Sequence, residues 1–415
     1  MSRESVPGHE IDYHLLSFDE AGRERGGDSR DVLREARNGP TDVFVFSHGW
    51  NGDVPAAREQ YGTWIATMAG CTEERQRAHD SAGGFKALLI GLHWPSKAWG
   101  DEEIGSASFA AGAGTSPETL VRLSAERLGG GGARQAAVRT IVDAALDDAA
   151  PVTLPPRVRE AYEFLDAADP DLPGEHDRAP FDAEQLYQGC LMEDEASFGD
   201  FSLGGVLAPL RVLTFWKMKK RARVFGESGA AGLLRDLRQA APRARIHLMG
   251  HSFGCIVVSA AVLRADGPVA TMALVQGAMS LWSFCAEIPG ERGRGGYFRS
   301  VVADRRVTGP VLVTTSPFDR AVGRFYPLGA WSANHVDFGP EELPRYGAIG
   351  AHGVRGPGVE VVDHSDVRTV GELAPGRVHN IDAGTIVATG DGIAGAHNDI
   401  CHPELGRLIW RAARP

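Results

Sequence analysis

The residue of this chain best placed to do chemistry is the serine in the segment Gly250-His-Ser-Phe-Gly254. A short stretch at 245–249 that contains Ile246, Leu248 and Met249 precedes this segment, and mostly small and branched apolar residues at 255–263 follow it. This order predicts a strand, a tight turn and a helix, with Ser252 at the turn. A serine becomes a nucleophile when a base can take its proton and its oxygen stands clear of the backbone. The segment therefore predicts a nucleophile for acyl transfer.

Two glycines flank the predicted nucleophile. A Cβ at Gly250 or Gly254 would collide with the neighbouring strand or helix, so this turn favours glycine at both positions. The turn also places Ser252 at a helix N-terminus, where backbone N–H groups stabilise developing negative charge. Glycine is frequent here, with 52 in 415 residues. The alternative is therefore a glycine-rich loop before an ordinary buried helix, and the strand and helix signals on either side argue against it.

Two further motifs lie in the first hundred residues. Asp42–Ser47 is an almost unbroken apolar run, as expected of a buried parallel strand, and His48-Gly-Trp-Asn51 follows it. Residues 85–93 form a second such run, which ends in Trp94-Pro-Ser96. Together with Gly250-His-Ser-Phe-Gly254, these motifs resemble a bacterial group of α/β-hydrolases, which are serine hydrolases of the esterase or lipase type. The resemblance covers the core strands and motifs but not the long insertions.

The resemblance implies an α/β chain with the α/β-hydrolase fold, in which helices flank a mostly parallel central sheet. Residues 1–100 and 206–415 are then the two parts of the core. Residues 101–205, where helical stretches alternate with glycine-rich linkers, are predicted to form an inserted helical cap. A disordered acidic insertion is the alternative for parts of this segment. A second insertion at about 329–376, rich in glycine, proline and histidine, is predicted to be loop-like.

An oxyanion hole is the next element that the resemblance implies. In α/β-hydrolases one donor is the N–H of the residue after the nucleophile, and the other comes from a turn after an early strand. These positions correspond to Phe253 and to Trp50, which follows His48-Gly49. A plain strand-to-helix turn is the alternative for His48-Gly49.

The order in this group is nucleophile, acid, base, so the acid is expected after a late core strand. Asp319 follows the apolar residues 311–315 and is our candidate. A carboxylate there would orient the base and stabilise the imidazolium that forms during turnover. Asp319 could instead be a turn residue that caps the next helix. The rival acids, which follow less clear strands, are Asp304, Asp337 and Asp363.

The base is expected on the loop before the last helix. Six histidines follow Asp319: His335, His352, His364, His379, His397 and His402. His397 fits best, because it lies between the last predicted strand, at 378–387, and the last helix, at 405–413. The segment His397-Asn-Asp-Ile400 is also similar to the histidine loop of esterase-like relatives. His402 is the rival, although Pro403 beside it indicates the start of a helix.

Composition and charge narrow the possible ligands, cofactors and cellular location of the chain. A net charge of −11 argues against general binding of nucleic acid. The five cysteines are scattered, and no histidine or acidic pair has an established metal spacing, so we expect no disulfide framework, no metal and no cofactor. The N-terminal residues lack an apolar segment of the signal-peptide kind, and no run of 18 apolar residues occurs. A cytoplasmic location is therefore the expectation.

A basic aromatic segment at 211–223 makes a membrane surface one possible partner. It holds three of the five lysines beside Phe215, Trp216 and Met218. Such a helix could contact an anionic membrane at its periphery, or it could be an ordinary surface helix that frames the pocket. We favour the second interpretation.

The sequence thus predicts a serine hydrolase that cleaves a small-molecule or lipid carboxylic ester, through Ser252, His397 and Asp319. Other members of the same reaction class remain open, namely a membrane-docking phospholipase, a peptidase or a thioesterase. An alternative of another class is a catalytically silent protein that keeps the fold and binds a partner. The oligomeric state and the acyl chain are not predicted.

Overall fold

The structure is a computed structural model with an α/β architecture, in which helices flank a mostly parallel central sheet. It describes residues 3–50, 52–80, 84–96, 116–170, 178, 180–196, 205–326, 343–390 and 394–413. Three residues named above, Asn51, His335 and Asp337, lie outside these ranges.

Ten strands belong to one sheet in the described ranges. The strands are β1 (Arg3–Ser5), β2 (Asp12–Phe18), β3 (Glu24–Arg25), β4 (Asp42–Ser47), β5 (Ala87–His93), β6 (Arg245–His251), β7 (Thr271–Val275), β8 (Val311–Thr315), β9 (Val361–His364) and β10 (Val378–Asp382). Their order is β1-β2-β5-β4-β6-β7-β8-β10-β9, and β3 pairs with β2. The strands β1 and β3 run antiparallel to β2, and all other pairs are parallel.

The helices alternate with these strands along most of the chain. They are α1 (Ser29–Ala36), α2 (Val54–Gly70), α3 (Thr72–Asp80), α4 (Pro117–Arg127), α5 (Gly132–Asp147), α6 (Pro156–Ala167), α7 (Ala183–Ala196), α8 (Ala208–Phe225), α9 (Ala231–Ala240), α10 (Gly254–Arg264), α11 (Arg299–Ala303), α12 (Ile349–His352) and α13 (Pro403–Ala413).

The central strands are apolar because both of their faces are covered. Every residue of β4 and of β7 is buried, and so is every residue of β6 after Arg245. Parallel strands covered by helices on both faces need such continuous apolar runs. The predicted strands at 42–47 and 311–315 are therefore confirmed with their bounds, while the one predicted at 378–387 is shorter in the structure.

The chain divides into two compact units. Met1–Ser96, Arg221–Gly323 and Gly347–Pro415 form the first unit, and Lys97–Lys220 with Arg324–Tyr346 form the second. The first unit contains every strand listed above, and its large apolar core includes Phe44, Phe46, Trp64 and Trp410.

Helices α4 to α7 form the body of the second unit. They pack around a shared apolar cluster that includes Val121, Ile141, Tyr162 and Tyr187. Ser116 caps the first of these helices, because its Oγ accepts a hydrogen bond from the Thr119 N–H at 3.3 Å. The helical stretches expected between residues 101 and 205 are thus present where the structure describes this segment.

Lysines of the basic segment lie in the interior of the second unit. Lys219 is 4% exposed and donates to Tyr326 Oη at 2.8 Å. Lys220 is buried and donates to the carbonyl of Pro170 at 2.9 Å, while Lys217 pairs with Asp169 at 3.5 Å. Charges held inside a folded unit cannot also lie on a lipid surface, which weighs against membrane contact through these lysines. Within the described ranges, no helix combines the length and apolar character that crossing a bilayer requires.

The predicted loop-like insertion at 329–376 departs from that expectation where it is described. Helix α12 and strand β9 lie within it, and β9 pairs with β10 in parallel, with Val361 opposite Val378. A strand of four residues is too short to show periodicity, and glycine and proline on its N-terminal side obscured it.

A buried ionic cluster ties the N-terminal ends of three central strands together. Asp42 is fully buried and accepts hydrogen bonds from His247 Nε2 at 3.0 Å and Arg245 Nε at 3.0 Å. His247 Nδ1 lies 2.8 Å from Thr271 Oγ1 on β7. Burial raises the pKa of Asp42, but hydrogen bonds from His247 and Thr41 and the charge of Arg245 outweigh it and lower that pKa to about 2.

We expect the Asp42→Asn variant to lose about 2 kcal/mol of unfolding free energy at neutral pH, because the depressed pKa measures how far folding favours the carboxylate. This contribution is fully present above the unfolded pKa near 4 and is lost as the pH falls towards 2. Urea unfolding at several pH values should therefore show the difference from wild type shrinking between about pH 5 and pH 2. Asp31→Asn, which alters an exposed ion pair with Arg34, is the control. A difference that stays constant over this pH range would contradict the assignment.

Candidate active site

Ser252 lies at the turn between β6 and α10, in a strained backbone conformation. Its φ of 55° is in the left-handed region, which residues other than glycine rarely adopt. A Cβ on Gly250 would meet the carbonyl of Gly254, and one on Gly254 would meet the carbonyl of Ser47. The two glycines are therefore required for the turn, as the sequence predicted, because the strand, the turn and the helix touch one another there.

Backbone hydrogen bonds hold this strained turn against the neighbouring strand. The N–H of Ser252 donates to the carbonyl of Val275 at 3.1 Å, and the carbonyl of Ser252 accepts from the Ala278 N–H at 3.2 Å. Strain of this kind costs about 1–3 kcal/mol and persists only where the surroundings over-determine the conformation. These two bonds provide that support.

The turn after β4 lies directly against the serine. A Cβ placed on Gly49 would be 2.7 Å from Ser252 Cβ and 3.2 Å from its Oγ. The Trp50 and Phe253 rings, which belong to the two predicted oxyanion donors, have centroids 6.2 Å apart. The two predicted donor residues therefore lie close to each other, and Gly49, which precedes Trp50, lies against the serine side chain.

The Trp94-Pro-Ser96 motif supports this turn. Trp94 Nε1 donates to the carbonyl of His48 at 3.2 Å. Ser96 Oγ accepts from the Gly52 N–H and donates to the Gly52 carbonyl, both at 2.9 Å. Tyr61 Oη also accepts from the His48 N–H at 2.8 Å. The first two motifs of the sequence are thus two halves of one hydrogen-bonded structure.

The predicted acid and base contact each other. His397 Nδ1 lies 2.7 Å from Asp319 Oδ2, and both side chains are buried. A carboxylate only accepts, so Nδ1 carries the proton and Nε2 of the neutral ring is left to accept one. The two loops are joined as well, because Asp319 forms an antiparallel bridge with Gly395, and the Ala396 N–H donates to Phe318 O at 3.0 Å.

The buried histidine beside the nucleophile links the base to the turn. His251 Nε2 donates to the carbonyl of His397 at 2.9 Å, and the two rings have centroids 4.8 Å apart. Ser252 itself makes no side-chain hydrogen bond to His397 within the described residues. Such bonds are often long in ligand-free sites and tighten when a substrate binds.

The tautomer of His251 follows from its two partners. Since Nε2 donates to a carbonyl, Nδ1 is the acceptor, and the Gln60 amide donates to it at 3.1 Å. Burial lowers the pKa of His251 to about 3, and the neighbouring charge of His397 acts in the same direction. His251 therefore stays neutral when His397 takes up a proton.

Sequence reasoning missed one residue of the site. Gln276 follows β7, and its side-chain Nε2 donates to Asp319 Oδ2 at 3.0 Å. Its signal was a polar residue that closes an otherwise apolar run, but the run alone does not indicate a partner 43 residues away.

The rival residues that the structure describes have other partners. His402 pairs with Asp399 at 2.8 Å, and His364 with His379 at 2.9 Å. The other rival acids do not take the place of Asp319 either. Asp363 pairs with Arg355 at 3.0 Å, while Asp304 is the C-terminal cap of helix α11.

No group of three or more histidine, cysteine or acidic side chains in the described ranges has a metal-binding arrangement. No protein-family model, no curated protein and no solved structure matches this chain.

We expect the His251 ring to remain neutral, with its proton on Nε2, from pH 8 down to about pH 4, since burial holds its pKa near 3. A side-chain ¹⁵N NMR titration measures this directly, and loss of one signal in the His251→Phe variant assigns it. A ring that becomes charged between pH 6 and 7 would show that the burial or the partners are wrong.

Proposed function

We propose that this chain is a serine hydrolase with the α/β-hydrolase fold, which cleaves a carboxylic ester through an acyl-enzyme. The observation that carries the proposal is the 2.7 Å contact between His397 and Asp319, with the His397 carbonyl bound by His251, the residue before a serine held at a φ of 55°. A strained, glycine-flanked serine and a carboxylate-bound histidine linked in this way have the form of a nucleophile with an oriented base.

The topology supports the proposed fold. Strand β6, which carries the serine, lies in the middle of the sheet order, and β4 with its glycine turn is its neighbour. Asp319 follows β8, and His397 lies between β10 and α13, so the chain order is nucleophile, acid, base. Because these strands are parallel, the segments that follow them meet at one edge of the sheet, where ligands bind in open α/β folds.

The proposed reaction uses only side chains and backbone of the first unit. His397 Nε2 takes the proton of Ser252 as its oxygen attacks the ester carbonyl carbon. The resulting oxyanion accepts hydrogen bonds from the N–H groups of Trp50 and Phe253. The imidazolium, stabilised by Asp319, then gives its proton to the leaving alcohol, and an acyl group remains on Ser252.

Water completes the cycle by the same steps. His397 Nε2 takes a proton from water, which attacks the acyl carbon and forms a second oxyanion at the same N–H groups. Collapse of this intermediate releases the acid and returns the proton to Ser252. We propose an ester over an amide because an alcohol leaves more readily than an amine.

We expect a fluorophosphonate probe to label the wild-type protein and not the Ser252→Ala variant, because the probe reacts with an activated serine. Ser259→Ala, a change at a buried serine of the adjacent helix α10, is the matched control and should label as wild type does. Equal labelling of wild type and Ser252→Ala would exclude Ser252 as the nucleophile.

The assignment of acid and base has its own test. Asp319→Asn should lower kcat for a p-nitrophenyl ester by about 10³- to 10⁴-fold with little change in KM, since the amide favours the wrong histidine tautomer. His402→Gln, which alters the rival histidine, should leave kcat within about twofold of wild type. A large loss of kcat in His402→Gln, with little change in Asp319→Asn, would assign the base to His402.

A further inference from the structure

Gln276 holds a position that packing alone does not explain. It is fully buried at the end of β7, and its φ of 47° is again in the left-handed region. A buried amide without partners costs free energy, and left-handed backbone costs more for glutamine than for glycine. An apolar side chain would fill the same space without requiring hydrogen bonds.

The hydrogen bonds of Gln276 leave only one orientation for its amide. Thr314 Oγ1 donates to Gln276 Oε1 at 2.9 Å and accepts from the Gln276 backbone N–H at 3.1 Å. The hydroxyl proton is therefore directed at Oε1, and the amide nitrogen faces Asp319. A reversed amide would set its oxygen against a carboxylate oxygen, and the two acceptors would repel each other.

The acid is consequently held at both of its oxygens. Oδ2 of Asp319 accepts from His397 Nδ1 at 2.7 Å and from Gln276 Nε2 at 3.0 Å. Oδ1 accepts from the Val322 N–H at 3.1 Å. Three donors around one buried carboxylate stabilise its charged form and fix its plane.

The segment that carries Gln276 also supports the nucleophile. Val275, which precedes it, accepts the Ser252 N–H, and Ala278, two residues after it, donates to the Ser252 carbonyl. A short segment of the chain thus hydrogen-bonds the strained serine through its backbone and the acid through one side chain.

We propose that Gln276 is a positioning residue of the hydrolase, which aligns Asp319 with His397 and shares the negative charge of the carboxylate. The inference rests on the proposed function. Without the amide, the charge on Oδ2 would be compensated by His397 alone, so the protonated form of the base would gain stability. The free base would then be available only at higher pH.

The experiment follows the pH dependence of fluorophosphonate labelling. We expect Gln276→Met, which keeps the shape and removes the amide, to slow labelling at pH 7 by about 10- to 100-fold, as expected for loss of a hydrogen bond to a charged group. We also expect the pH of half-maximal rate to rise by up to about one unit. If Gln276 only filled space in the core, its replacement would lower the labelling rate by the same factor at every pH.

A buried amide elsewhere in the same unit provides the matched control. Asn380 on β10 donates to Val354 O at 3.1 Å and accepts from the Val354 N–H at 2.9 Å, away from the proposed triad. The Asn380→Leu variant should lose comparable stability in urea and keep the wild-type rate and pH profile.

Each outcome decides one claim. Labelling of Gln276→Met at the wild-type rate, or slowing without a shift in pH, overturns the inference and leaves the proposed function intact. Wild-type protein that labels no better than Ser252→Ala overturns the proposed function instead. Should Gln276→Met not fold, Thr314→Val removes the orienting hydroxyl at nearly constant shape, and the same rise in half-maximal pH, smaller in size, is then required.

Discussion

The conformation of Ser252 is the constraint on which the rest of the site depends. A backbone φ of 55° is unfavourable for a serine by itself, so contacts with the rest of the fold have to stabilise this conformation. Two glycines allow the strand, turn and helix to touch, and two backbone hydrogen bonds tie the turn to the last residue of β7 and to the segment after it. Trp50 and Gln276 follow β4 and β7, the two strands that pair with β6, while Asp319 and His397 follow β8 and β10 further along the same sheet.

Burial makes the polar interactions around this turn effective, and it also makes them obligatory. Asp319 and Gln276 are almost completely inaccessible to water, so water cannot replace the protein groups to which they are hydrogen-bonded. A carboxylate in such a place is stable only with several donors, and it has three. The same logic applies at the opposite ends of the strands, where buried Asp42 is paired with His247 and Arg245.

The sequence predicted much of the core because its signals are local. The apolar run at 42–47 and the glycines around Ser252 each reflect contacts within a few residues of themselves. Asp319 and His397 were predicted from their order after the core strands and from the resemblance of residues 397–400 to a histidine loop, and the structure brings that pair to 2.7 Å. Strand β9 was missed because four residues carry no detectable period, and Gln276 was missed because its partners lie on β8 and on the loop that follows it.

The amino-acid sequence by itself determined which residue types stand at the ends of the strands, and hence which chemistry this edge of the sheet can carry. Only the tertiary structure decided how they pair. The choice of His397 over His402, the orientation of the Gln276 amide and the burial of Lys219 all depend on parallel strands from distant parts of the chain or on long-range packing. Side-chain contacts between residues dozens of positions apart leave no periodic trace in a single sequence, because they are set by the packing of whole elements.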